Sequence, residues 1–294
     1  MPEFRRILCP IDFSEFSVRA YRHALSLAWH YHALLFVQHV IELWRHPSAD
    51  FATSADSFKE FCGVLHDKRE KQLQEFLRDN THDTIEMVRV VDHGIASDSI
   101  LALAENQGAD IIVMGTHGRR GFDRLTLGSV TERVIRKASC PVLVVHRPTP
   151  DLIASGRKHD PLHLNRILFC TDFSENSRRA LDYATSLASE YDAELTLLHV
   201  LEGASQAAQP EALAKATAQL ERLIPAAGHG PGKIRTRVCA GKPYEQIIGV
   251  TLEAQTDLVI MAVRGRGALD LAVFGSTTHR VVQLGPCPVL VVHV

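Results

Sequence analysis

Among 294 residues there are six cysteines, and no two of them form a CxxC pair. Cys9, Cys62, Cys140, Cys170, Cys239 and Cys287 are scattered without zinc-ligand spacing. That pattern argues against a zinc or disulfide framework. Cys9, Cys140, Cys170 and Cys287 lie in or beside apolar runs and read as reduced, buried thiols of a cytoplasmic protein. No run of about 18 apolar residues is present, so no spanning helix is expected. The opening "MPEFRRILCPIDFSE" has no long apolar core or small-residue cleavage site, and does not read as a signal peptide. An excess of one charge sign is also missing. The formal net charge is −2, so no overall field draws the chain to nucleic acid or to a membrane.

Familiar phosphate and metal signatures are missing too. There is no GxxxxGK[ST] sequence, and "GTHGRRG" neither matches G-x-G-x-x-G nor follows a first strand. Histidines number 16, yet no pair has a convincing ligand spacing with a third partner, so no metal site is expected. His23 and His30 are seven apart, and His30 and His32 fall on different helix faces. His39 recurs as His199 and His146 as His293, which reads as hydrogen-bonded strand histidines.

What is present is a chain written twice. Hydrophobic content of 46% and charged content of 22% fit an ordinary globular protein, and the length suits two domains. "RILCPIDFSEFSVRAYRHALSLA" from Arg6 matches "RILFCTDFSENSRRALDYATSLA" from Arg166 at an offset of 160, with roughly half the positions identical. "SCPVLVVH" ending at His146 matches "PCPVLVVH" ending at His293 at an offset of 147, so the second copy is 13 residues shorter. His39-Val40 still matches at 160 and Gly94 already matches Gly241 at 147. The missing residues therefore lie between Val40 and Gly94, where the first copy holds a segment around Trp44–Phe58. The seam is rich in Pro, Gly and charge and reads as a linker. The expected domains are 1–147 and 165–294, joined by 148–164.

Each copy alternates strand and helix. In the first, "RILCPID", "LLFVQHV", "TIEMVRVVDHG", "ADIIVMG" and "PVLVVHR" read as strands. Helices are expected after a Ser14 cap, from about Phe58 to Leu77, from Ser97 or Asp98, and from near Ser129. Continuous apolar strands suit a sheet covered on both faces. The alternation implies parallel crossovers. The fold class is α/β: two repeated, doubly wound, Rossmann-like domains, each a mainly parallel five-stranded sheet flanked by helices. Ligands of such sheets sit beyond the carboxyl ends of the strands, at a switch point. Strand one ends at Asp12, strand two at Val40 and strand four at Gly115, and these ends are expected to line one crevice.

"MGTHGRRGFDRLTLGSVTE", from Met114, leaves the fourth strand and enters a helix. Glycine at 115 and 118 allows close backbone approach and positive φ. Gly128-Ser129 opens a helix whose first amides lack partners and whose dipole favours an anion. Ser129 can cap that helix and offer a hydroxyl to phosphate. Arg119, Arg120 and Arg124 lie in between. On these residues alone, a phosphate cradle and a serine-capped glycine-rich connection both stand.

The spacing Gly115-x2-Gly118-x9-Gly128-Ser129 resembles the nucleotide-binding motif of the universal stress protein family. Asp12 in "ILCPIDFSE", the "HV" ending strand two and the closing "CPVLVV" are also similar to that family. The resemblance covers both halves. It implies an adenine nucleotide, typically ATP with or without Mg. By matching position Asp12 holds the adenosine or ribose end, with Pro10, Val40 and Met114 beside it. Gly115, His117, Gly118, Gly128, Ser129 and Val130 then surround the phosphates. In the second half the matching positions are Asp172, Val200, Gly265, Gly275 and Ser276. There Cys170 replaces Pro10, Arg264 replaces His117 and Ala262 replaces Gly115. Ala262 is costly if the site needs positive φ and mild if it does not. The resemblance further implies dimerisation through the last strand, here within one chain as a pseudo-dimer, with a homodimer of whole chains as the further assembly it allows.

The leading expectation is a cytoplasmic stress-response protein that binds ATP as a sensor or regulator, with no nucleic-acid or membrane partner. A slow metal-dependent ATPase is the enzymatic alternative, although no general base or catalytic lysine stands beside the phosphates. The third is an interaction protein that has lost nucleotide binding.

Overall fold

A computed structural model describes residues 3–43, 55–80, 85–116, 127–146, 163–203, 210–224, 233–263 and 275–293. The first half runs β1 (Arg6–Pro10), α1 (Glu15–Tyr31), β2 (Leu34–Ile41), α2 (Ala55–Asn80), β3 (Met87–His93), α3 (Ala96–Gln107), β4 (Ile111–Gly115), α4 (Ser129–Lys137), β5 (Val142–Val145). The second repeats it as β6 (Arg166–Cys170), α5 (Glu175–Glu190), β7 (Glu194–Leu201), α6 (Pro210–Glu221), β8 (Ile234–Ala240), α7 (Pro243–Glu253), β9 (Leu258–Ala262), α8 (Ser276–Leu284), β10 (Val289–Val292).

The strands order as β3-β2-β1-β4-β5-β10-β9-β6-β7-β8 in a single sheet. Within each half the neighbours are parallel. At the centre β5 and β10 pair antiparallel, Leu143 opposite Leu290 and Val144 opposite Val289. The two five-stranded sheets are thus one ten-stranded sheet, with the halves related as a pseudo-dimer. The wholly apolar "VLVV" of β5 and of β10 is fully buried by this pairing. The polar strands fall at the rims: β3 carries Arg89 and Asp92, and β8 carries Arg235 and Arg237. Charged edges discourage pairing with further strands.

Two apolar layers cover the sheet. Tyr21, Ala24 and Leu27 of α1, Leu73 and Leu77 of α2, Ala180 and Ala184 of α5 and Leu220 of α6 pack on one face. Ile100 of α3, Val134 and Ile135 of α4, Ile247 and Val250 of α7, and Val281 and Val282 of α8 pack on the other. Successive helices therefore leave to opposite faces as pairs, which is the doubly wound arrangement.

Two helix starts can be set against expectation. Ser14 does cap α1, accepting from the Ser17 amide at 3.3 Å. The cap of α3, however, is Ile95, not Ser97 or Asp98, and it makes no side-chain bond. Ser97 instead lies buried in the first turn. The length difference between halves falls partly in regular structure: α2 has 26 residues and α6 has 12. Positions 44–54 of the longer segment, and 147–162 of the seam, lie outside the described residues.

Candidate functional site

In each half the strand order reverses direction at the first strand. β1 has β2 on one side and β4 on the other, while α1 and α4 leave to opposite faces. The chain parts there, which opens a crevice at the carboxyl ends. Pro10 ends β1, Val40 is next to last in β2, and Met114 and Gly115 end β4. Asp12 follows two residues beyond Pro10, and Gly128, Ser129 and Val130 begin α4. The topology brings these eight positions to one edge. His117 and Gly118, with Arg119, Arg120 and Arg124, lie outside the described residues.

The β1 end is tightly organised. The Ile11 amide donates to the Gln38 carbonyl at 2.7 Å. The Ile11 carbonyl accepts from Nδ1 of buried His39 at 2.7 Å, which fixes the strand end. One carboxylate oxygen of Asp12 accepts the Ser14 amide at 3.0 Å. Between them Phe13 takes φ 64, a left-handed conformation that is a genuine outlier for a bulky residue. Its ring lies 4.7 Å from that of His39 and 5.9 Å from that of Phe76. Asp12 thus turns the chain into α1 while its carboxylate stays partly exposed at the crevice.

The β4 side is tied down by backbone and one hydroxyl. The Gly128 amide donates to the Thr116 carbonyl at 2.9 Å, and Thr116 donates to Val145 at 3.2 Å. Thr131 Oγ1 donates to the Gly115 carbonyl at 2.9 Å. These bonds hold the start of α4 against the end of β4. The cap residue is Gly128, with φ −62 and no side-chain bond; Ser129 is the first helical residue, not the cap. The opening amides of α4 therefore carry no side chain of their own over them, and such amides suit an anion.

Gly115 has a different reason from the one its position in a loop implied. It does not adopt positive φ. A methyl added there would lie 2.7 Å from Phe16 Cβ and 2.9 Å from the Phe16 carbonyl carbon. The glycine is needed because α1 crosses the end of β4 at close range.

The second half repeats these bonds, and Thr171, standing where the first half has Ile11, adds bonds to Ser177 and to the Phe173 amide. The Asp172 carboxylate accepts the Ser174 amide at 3.0 Å, His199 donates to the Thr171 carbonyl at 2.8 Å, and Phe173 has φ 61. Thr278 Oγ1 donates to the Ala262 carbonyl at 3.1 Å, and the Gly275 amide to Val263 at 3.3 Å. Gly275 caps α8 without a side-chain bond and Ser276 is its first residue. Val200 stands near the end of β7; Gly265 lies outside the described residues. Ala262 is accommodated as an ordinary buried strand residue, 7% exposed. Its position matches the one whose Cβ would aim at helix α1 in the first half.

Several contributors escaped the reading of the sequence: Phe13 and Phe173, and Thr131 and Thr278. Each pair recurs at the offset of its neighbourhood, 160 or 147, and that recurrence was the available signal. The recurrent histidines are hydrogen-bonded, as expected. His146 Nε2 donates to the Val282 carbonyl and His293 Nε2 to the Ile135 carbonyl. His23 donates to the Arg19 carbonyl at 2.9 Å, and His30 faces Glu190 of the other half at 2.8 Å. All six cysteines are free, with Cys62 and Cys239 half-buried and the rest buried. No helix among the described residues is long and apolar enough to cross a membrane. A separate groove between α2 and β3 is lined by Lys71, Gln74, Arg78, Met87 and Arg89. Met87 pairs with Leu35 at the amino end of the strands, so this groove lies away from the crevice.

The model of the universal stress protein family matches residues 3–146 and again residues 163–293. A universal stress protein of Methanocaldococcus jannaschii is 31% identical over 157 residues, covering 49% of this chain and 84% of that protein. A second one from the same organism is 33% identical over 155 residues, covering 49% of this chain and 96% of its own length. The crystal structure of a universal stress protein from Archaeoglobus fulgidus superposes with a TM-score of 0.71 at 21% identity, covering 99% of both chains, which shows a common fold. This chain belongs to the universal stress protein family and carries its domain twice.

Proposed function

We propose that the first half binds an adenine nucleotide, ATP, in the crevice where β1, β2 and β4 end, and that the protein is a nucleotide-responsive regulator in the cytoplasm. The observation that carries this reading is the open start of α4. Its first amides have only a glycine as cap, and three hydrogen bonds anchor the connection to β4 and β5. A preorganised anion seat of this kind costs little to fill with phosphate. On the other side of the crevice Asp12 offers carboxylate oxygens, acceptors suited to ribose hydroxyls. Pro10, Val40 and Met114 supply apolar cover, and Ser129 and Val130 the phosphate contacts. His117 and Gly118 complete the loop in this reading. Six free thiols suit a reducing compartment.

The second half offers the same frame through Asp172, Val200, Gly275 and Ser276, with Gly265 in its loop. Ala262 is buried in the same apolar layer as Ala180 and Ala184 of α5, so in this reading its methyl belongs to the core. The halves, 1–147 and 165–294, are each a binding unit joined by 148–164. Binding shifts the conformational balance by its differential affinity for two states. In this reading any Mg arrives bound to the nucleotide phosphates.

The test is mass spectrometry of ligand released from purified protein, together with thermal unfolding with and without ATP·Mg. Adenine nucleotide in the released fraction is expected, with stabilisation near 2.7 kcal/mol when ligand is at about a hundred times its Kd. Neither released nucleotide nor any ATP-dependent stabilisation would overturn the reading.

A further inference from the structure

The carboxyl end of β3 brings together two histidines that are 27 residues apart in the chain. His66 stands on α2, and His93 is the last residue of β3. Nδ1 of His66 lies 3.1 Å from Nε2 of His93, with the rings stacked at 22° and centroids 5.2 Å apart. We propose that His66 and His93 together bind a divalent transition-metal ion of the zinc type.

The separation suits the chemistry. Two imidazole nitrogens at about 2.0–2.1 Å from a tetrahedral zinc stand about 3.3 Å apart. The observed 3.1 Å is close to that separation, and turning each ring moves its lone pair off the N–N line toward a shared ion. The far nitrogen of His66 is turned toward a carboxylate: Nε2 lies 4.0 Å from Glu70 Oε2, one helical turn along. A carboxylate on the distal nitrogen favours the tautomer protonated there and leaves Nδ1 as the lone-pair donor. Without metal, His93 Nε2–H donates to that lone pair. With metal, His93 takes the tautomer protonated at Nδ1, and both facing nitrogens become ligands. No proton is gained or lost in the exchange.

Among the described residues no third His, Cys, Asp or Glu closes the coordination shell. The ion therefore keeps water in its remaining positions, as open sites do. Imidazole donors select zinc, copper or nickel over magnesium or calcium. The register that sets Ile41 opposite His93 sets Leu201 opposite Ala240 in the second half. One such site per chain follows. Val40 pairs with Asp92 one step before, so the ion would sit at the rim of the crevice. The proposal does not depend on nucleotide binding.

The experiment is a zinc titration of the full chain after chelator treatment, read by calorimetry, with copper(II) spin resonance as a second probe. One zinc per chain is expected. His66→Ala and His93→Ala should each weaken it by about tenfold or more, and His93→Gln should do the same although glutamine can still hydrogen-bond. Copper should show two coordinating nitrogens in the parent and one in either single variant. Circular dichroism confirms that these surface variants fold. Zinc bound equally well by all the variants, shared among the other histidines, would overturn the proposal, as would no binding by the parent.

Discussion

Gly115 lies directly beneath Phe16: a methyl on the glycine would stand 2.7 Å from Phe16 Cβ and 3.0 Å from its carbonyl oxygen. These are fixed atoms of a helix, not the far end of a flexible side chain. Gly115→Ala should therefore destabilise the fold by about 1–3 kcal/mol, as overpacking does. Phe16→Ala should not rescue it, because Cβ and backbone remain. Ala262→Gly in the second half should cost no more than about 1 kcal/mol, the ordinary penalty for glycine in a strand. Urea unfolding of the three variants checks the set; equal costs at positions 115 and 262 would refute this account of the glycine.

That contact also marks how far the sequence could be read. Apolar runs and their recurrence disclosed the alternating elements, the two halves and the carboxyl-end crevice, because strand burial and helix capping are written in local patterns. Leu143 opposite Leu290 was foreshadowed by two copies of an all-apolar "VLVV". The reason for Gly115 was not legible, since it depends on how closely α1 crosses β4. Among the described glycines, positive φ occurs at Gly94, Gly108, Gly203 and Gly241, and in the sequence the pair Gly94 and Gly241 served only as alignment marks. Ser129 was expected to cap α4 because serine favours that position. Gly128 holds the cap instead, since its amide bonds to Thr116 and so sets where the helix begins.

Phe13 and Phe173 carry backbone strain at matched places, with φ 64 and 61. An L-residue in this region costs about 1–2 kcal/mol more than glycine. At either position the glycine variant should be more stable than the alanine variant by roughly 1 kcal/mol, the reverse of their order in a helix. Both variants lose the ring contact of Phe13 with His39, so their difference isolates the backbone. Chemical denaturation of Phe13→Ala and Phe13→Gly decides it, and alanine equal to or above glycine would count against strain.

His146 and His293 clasp the halves reciprocally. Each ring donates to a carbonyl in the last turn of the other half's helix, Val282 of α8 and Ile135 of α4. Carbonyls there lack in-helix partners. His146→Ala or His293→Ala should each cost about 1–3 kcal/mol, the price of a buried acceptor left unsatisfied. The double variant should lose cooperativity between halves, seen as a broadened or split calorimetric transition. Single variants indistinguishable from the parent would show that the bonds add nothing.

Burial pushes the thiols of Cys140 and Cys287 up to about 12, and those of Cys9 and Cys170 higher still. Burial also raises Tyr31, which donates to Glu190 of the other half, and Tyr191 beside it. In an unfolded chain a thiol ionises at about 8.5. A raised folded pKa gives stability that is whole below the unfolded pKa and is lost as pH rises above it. Stability should therefore fall from about pH 8.5 toward pH 12. In the native protein a thiol reagent at pH 8 should modify Cys62 and Cys239 alone, with the other four reacting on unfolding. Rapid labelling of more than two thiols would contradict the buried assignment.

Asp12 and Asp172 occupy equivalent turns, each accepting a serine amide at 3.0 Å. If both crevices hold nucleotide, calorimetry should give two ATP per chain. Asp12→Asn and Asp172→Asn keep the amide-accepting oxygen, so the turn into α1 or α5 should survive. Each replaces a charged acceptor for ribose hydroxyls by a neutral one, and should weaken one binding event by about tenfold to a hundredfold. The unaltered half then serves as the internal control. Loss confined to Asp12→Asn would place binding in the first half alone. In that case the cause lies among the substitutions that set the second crevice apart: Cys170 for Pro10, Ala262 for Gly115 and Arg264 for His117.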